Sequence, residues 1–304
     1  MQRADRLPLI AGVDFSSAPG KRKPIVIARV DILPAGIVPV GIVPAGIVPA
    51  GIVPVDIVLR SFERLETLAA LAQWLRAQPR FVAGCDFPFG LPREFVEAQG
   101  WLAPGAPAHW PTLIRTVAAL TRSALVDRCR AFVAPRPAGG RFAHRRTDRP
   151  AGSSPSMKWV NPPVVLMLHA GAPLLLDAGL DLPSLHAGDP SRVALEAYPG
   201  MLARDVVGNR SYKSDDPRKD DAQRRGRRAD IVRALRGGAH RLGTSLAIDA
   251  RLADEMIAEC SGDRLDAAIC AVQAAWGWAH RADHYGLAPD VDPCEGWIVG
   301  AAPD

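Results

Sequence analysis

The stretch "GVDFSSAPGKRKP", Gly12–Pro24, decides how the chain is read. It follows the apolar run "LPLIA" (Leu7–Ala11), so a buried strand ends on a bare carboxylate, Asp14, set between Val13 and Phe15. An Asp at a strand end commonly turns the chain by bonding its own backbone two residues on. A chemical role requires further carboxylates at equivalent strand ends.

Two such ends stand far along the sequence. "RFVAGCDFPFG" (Arg80–Gly90) reads as a buried strand closing on Asp86, and "RVALEAYPG" (Arg192–Gly200) presents Glu196. Parallel neighbours in an open α/β sheet deliver residues at their carboxyl ends to one edge, so Asp14, Asp86 and Glu196 are expected to converge. "SGDRLDAAICAVQAAWGWAH" (Ser261–His280) predicts a helix with the apolar stripe Leu265, Ala268, Ile269, Val272 and Trp276. Its first turn places Asp263 and Asp266 on one face, where acids also suit the helix dipole. Packed on the sheet, that turn would bring Asp266 to the strand-end acids.

Between these segments the order is strand, hairpin, helix, strand, which is an α/β order. "PIVIARVDIL" (Pro24–Leu33) and "DIVLRSFE" (Asp56–Glu63) are β-rich and flank five near-identical pentads, "ILPAGIVPVGIVPAGIVPAGIVPVD", over 32–56. The repeat from Ile32 to Val55 is uncharged, but a proline in every pentad breaks each helical turn, which excludes a membrane helix. Pro followed by a small residue and Gly suits a type I turn, so 32–56 is expected to be an expanded Pro/Gly hairpin turn. The helix "LETLAALAQWLRAQ" (Leu65–Gln78) follows. Residues 92–190 read as a long helical insertion with helical stretches at 111–133 and 161–179, joined by a mobile basic loop at 134–158. "NRSYKSDDPRKDDAQRRGRR" (209–228) reads as an exposed charged connection. The whole, 1–304, is expected to be one domain.

With 304 residues and 48% hydrophobic content the chain can bury a large core, as a soluble globular protein does. The formal net charge of +5 mildly favours polyanionic partners. Five cysteines, odd in number and never in a CxxC pair, suggest neither a disulfide framework nor a zinc site. The N-terminal apolar run is too short for a signal-peptide core. A cytoplasmic protein without a membrane partner is expected.

Carboxylates forced together raise one another's pKa unless a cation compensates. Hard oxygen donors without paired Cys or His suit Mg²⁺ or Mn²⁺, and two such ions can activate water and stabilise the leaving oxygen of a phosphodiester. On this view Asp266→Asn would relieve repulsion. "SSAPGKRKP" lacks the GxxxxGK[ST] spacing, which excludes a P-loop.

"GVDFSSAP", "GCDFPFGLP", "HRRTD", "MKWVNPPVVLM", "EAYPG", "SYK" and "DRLDAAICAVQAA", in this order, resemble the domain-of-unknown-function 429 family of predicted nucleases. The resemblance spans nearly the whole chain outside the pentads. It implies a ribonuclease H-like mixed sheet flanked by helices and a metal-dependent acidic site made by Asp14, Asp86, Glu196 and Asp266. "DRLDAA" is also similar to the terminal acidic helix of Holliday-junction resolvases, which favours Asp266 as a metal ligand and Asp263 as its neighbour.

Around that site, Arg145 and Arg146 of "HRRTD", with Lys158, would clamp phosphate oxygens or else belong to a solvated basic loop. Lys213 would neutralise a phosphate near Glu196 or stand on the surface. Arg228, with Arg224, Arg225 and Arg227, would track a nucleic-acid backbone or simply open a charged helix. The expected function is a Mg²⁺- or Mn²⁺-dependent hydrolase of nucleic acid or another phosphoester. The alternatives are a non-catalytic nucleic-acid or nucleotide-binding protein and an actin-like phosphotransferase; the latter wants glycine where Ser16 stands.

Overall fold

In the computed structural model, which describes residues 7–33, 57–137 and 139–303, "LIAGVD" forms strand β1 (Leu9–Asp14) at the centre of a mixed sheet. β2 (Ile25–Ile32) and β3 (Ile57–Leu65) continue from it as an antiparallel meander. β4 (Phe81–Cys85) lies parallel to β1 on its other side. β5 (Leu180–Asp181) and β6 (Asp189–Glu196) extend the parallel half, and β7 (Leu246–Ala247) pairs parallel with β3. The order across the sheet is β5-β6-β4-β1-β2-β3-β7. The pentads lie outside the described residues; the strands they join pair as far as Ile32 opposite Ile57.

β1 and β4 are apolar on both faces because both faces are covered. α1 (Leu68–Ala77), α2 (Arg93–Ala98), α3 (Trp110–Ala118), α4 (Arg122–Val133) and α6 (Val164–Asp177) share one core with Ala11, Val13, Ala83 and Cys85. Between them α5 (Asp148–Ala151) is a single turn. α7 (Pro199–Val207), α8 (Ala222–Gly237), α9 (Ala250–Ala258) and α10 (Asp263–Ala279) share the opposite core with Ile10, Val82, Val193 and Leu195.

α10 lies directly on β1 and β4 because small residues meet there. Gly12 and Gly84 face Ala267, Cys270 and Ala271, and a Cβ on Gly84 would sit 2.3 Å from the Cys270 carbonyl oxygen. The predicted stripe is buried except for Trp276, which is half-buried, and α10 additionally contacts α7, α8 and α9, so nearly its whole circumference is covered.

Three expectations change. The helix expected over 111–133 is two helices, because Thr121 caps α4 through its side chain, which accepts from Ala124 N at 3.2 Å. The expected basic loop at 134–158 is anchored: Arg145, Thr147, Asp148, Ser156 and Met157 are buried. The charged connection is shorter than expected, since Asp221 caps α8 by accepting from Arg224 N at 2.7 Å. Among the described residues no helix is long and apolar enough to cross a membrane.

Candidate active site

Strand parity sorts the predicted acids. Gly12 and Gly84 face α10, so two residues on, Asp14 and Asp86 come to the same face at the carboxyl ends of adjacent parallel strands. The Asp86 amide donates to the Val13 carbonyl at 2.9 Å, holding the two ends in register. Glu196 follows Leu195, which faces the α10 side, and so turns to the opposite face. A shift of one residue reverses the face a side chain takes. Asp14, Asp86, Asp263 and Asp266 gather on the α10 side, and Glu196, though turned to the opposite face, lines the same cavity as Asp14, Asp86 and Asp263.

Glu196 is instead bound by protein groups. Its Oε1 accepts from Arg145 Nη2 at 2.7 Å, and its Oε2 from Arg145 Nη1 at 2.8 Å and Phe89 N at 2.9 Å. Burial pushes its carboxyl up, and the Arg145 charge opposes that shift. Arg145, 2% exposed, also bonds Asp148 and the Glu295 carbonyl. Its donors are committed, so the expected phosphate clamp is corrected to an internal brace.

The other predicted cations divide likewise. Arg146 is exposed and pairs with Asp290, and Arg228 is fully buried against Asp220, Tyr212 O and Ile257 O, which removes it from any backbone-tracking face. Lys158 donates to Asn161 O at 2.8 Å, beside the cavity described below. Lys213 reaches the acids themselves and pairs with Asp266 rather than lying near a phosphate at Glu196. Tyr212, which sequence reasoning missed, donates to Asp266 Oδ1 at 2.5 Å. Asp266 is fully buried, so Asp266→Asn would strip Lys213 of its partner while also relieving the repulsion Asp266 exerts on Asp14 and Asp86.

Asp14 and Asp86 are different. Among the described residues neither carboxylate has a hydrogen-bond or ion-pair partner, and both line a cavity of about 1080 Å³ with Asp263, Lys213 and Tyr212. Burial, then the Asp266 charge, pushes Asp14 well above the usual carboxylate range. Burial also raises Asp86 to about 7, with Lys213 opposing and Asp266 and Glu196 adding to the shift. Asp263 is raised by burial as well. For Lys213, burial works against the charge, but Asp266, Tyr212, Asp14 and Asp86 hold it well above the ordinary lysine value.

The Asp86 shift has a testable sign. A carboxyl whose folded pKa is raised binds its proton more tightly in the folded state, so its contribution to stability is present near pH 4 and is lost as pH rises through about 7. In EDTA, Asp86→Asn should match wild type near pH 4 and be more stable at pH 8, by up to about 4 kcal/mol. Denaturant melts at the two pH values measure this; an equal difference at both would show that Asp86 is not raised.

A hard cation is what the resemblance implies, and the donor set can be tested for it. Among the described residues no group of three His, Cys, Asp or Glu side chains forms a ready metal cage. Asp14 and Asp86 nevertheless fit one, as two anionic oxygen donors that no group among the described residues satisfies. Asp266 fits only if Lys213 yields its place. Comparisons with protein-family models, curated proteins and solved structures found no match.

Proposed function

We propose that the chain is a divalent-metal-dependent phosphodiester hydrolase acting on nucleic acid. One observation carries the reading: Asp14 and Asp86, side by side at adjacent parallel strand ends, open unpartnered into the cavity beside the acidic start of α10. The mixed sheet covered by helices on both faces accords with the ribonuclease H-like fold that the resemblance implies.

Asp14 and Asp86 would hold Mg²⁺ or Mn²⁺, and the bound cation would lower the pKa of a water and neutralise charge on phosphate. Lys213 keeps the centre positively compensated when the metal is absent, and Tyr212 fixes Asp266 so that the Lys213 pair keeps its place. The raised Asp14 and Asp86 make metal binding pH-dependent, since each must lose its proton to bind.

Two measurements test this. Mn²⁺ should raise the melting temperature of wild type, because a cation that binds only the folded state stabilises it by mass action. Asp14→Asn should abolish that response and lower Mn²⁺-dependent cleavage of labelled oligonucleotides at least about a hundredfold, more than loss of an outer-shell contact costs. Cleavage undiminished in Asp14→Asn would remove the strand-end acids from the reaction. Binding without cleavage in wild type would leave a non-catalytic nucleic-acid-binding protein.

A further inference from the structure

The cavity says more about the substrate than the net charge does. At about 1080 Å³ it matches the upper end of small-molecule sites, roughly 300–1,000 Å³. Its acids are Asp14, Asp86, Glu196, Asp215 and Asp263. Another part of the lining is apolar, made by Phe87, Pro88, Pro163, Val164 and Met167. An apolar wall beside metal-binding carboxylates suits a molecule with a flat apolar part and a phosphate, because every base has a face that stacks on such side chains.

The cations argue in the same direction. Duplex binding depends on Lys and Arg neutralising several phosphates. Here Arg145, Arg146, Arg224 and Arg228 are ion-paired with acids of this chain, whereas Arg225, Arg227 and Lys158 have no ion pair among the described residues. At the cavity itself, Lys23 is held by Asp215 and Lys213 by Asp266. The cations that line the cavity, Arg145, Lys23 and Lys213, are thus engaged with acids of this chain, which leaves the cavity's shape and apolar lining to distinguish the substrate.

We infer that the cavity takes one unpaired nucleotide unit, its base against the Pro163–Met167 wall and its phosphodiester at Asp14 and Asp86. This rests on the hydrolase reading and adds the substrate class: a dinucleotide or the unpaired end of a strand, not a paired duplex. In the reaction the water oxygen bonds to phosphorus, the ester P–O bond breaks, and the leaving oxygen takes a proton. The products are a phosphomonoester and an alcohol.

The test uses the full chain with a dinucleoside monophosphate, a single-stranded oligonucleotide and a blunt duplex of the same sequence. Binding is followed by tryptophan fluorescence in EDTA and in Mg²⁺, and cleavage separately in Mn²⁺. The dinucleotide and the single strand should bind and be cleaved, the duplex neither. Val164→Trp fills the apolar part and should weaken binding about tenfold or more; Met167→Trp serves if the first variant does not fold. Dinucleotide binding without cleavage would uphold the cavity assignment and remove the hydrolase reading. Preferential binding and cleavage of duplex would overturn the assignment and leave the hydrolase reading standing. Unchanged dinucleotide affinity in a folded Trp variant would overturn the assignment as well.

Discussion

Arg145→Ala is expected to cost the fold about 3–5 kcal/mol, the range for removing one partner of a buried ion pair. For a chain of this size that lowers the melting temperature by roughly 5–8 degrees. Asp148 and Glu196 are 0% and 3% exposed, and each would lose the guanidinium that offsets its burial. Lysine would not substitute, because one ammonium cannot reproduce the fork that spans Asp148, Glu196 and the Glu295 carbonyl. Adding Glu196→Gln to Arg145→Met removes one stranded charge and should recover part of the loss. A substrate-clamping Arg145 predicts the contrary result, an unchanged melting temperature with weakened substrate binding. Thermal melts of the single and double variants decide between the two roles.

Local pattern carried part of this site. Asp14 and Asp86 were legible because a short apolar run ending in an acid, repeated at a distance, marks strand ends, and the parallel pairing of β1 and β4 aligns them. The position of Glu196 was also in principle legible: in "VALE" it shares a face with Ala194, opposite to Leu195. Glu196 still reaches the cavity with Asp14 and Asp86, but from the other face, where Arg145 takes its carboxylate. Lys213 and Arg145 lay beyond local reading. Lys213 meets Asp266 across fifty-three residues and Arg145 meets Glu196 across fifty-one, so neither partner leaves a mark in the neighbouring sequence. A basic loop and a buried guanidinium read alike until the acid that fixes it is known. The charged first half of α8 was legible only as one of two readings, because its arginines obscure the apolar face and only the Asp221 cap marks its start.

Gly12→Ala should damage fold and site together. An added Cβ would lie 1.9 Å from the Ala267 carbonyl oxygen and 2.3 Å from the Ala271 nitrogen. Both are backbone atoms of α10, so no rotamer change clears them and truncating a neighbouring side chain gives no relief. Either α10 or β1 must move. Overpacking of a close interior typically costs 1–3 kcal/mol, and a backbone overlap of this depth belongs at or above about 3 kcal/mol. The direction of movement bears on function, because α10 carries Asp263 and Asp266. Lifting its first turns away from β1 would draw those acids and the Lys213 pair away from Asp14. The variant should therefore lose stability and, in whatever fraction stays folded, lose much of the Mn²⁺-induced rise in melting temperature. Gly20→Ala is the control, since nothing lies within 4 Å of a Cβ there, and it should melt with wild type. If Gly12→Ala also melted with wild type and kept its full metal response, α10 would not rest on β1, and the juxtaposition of strand-end and helix acids would be lost with it.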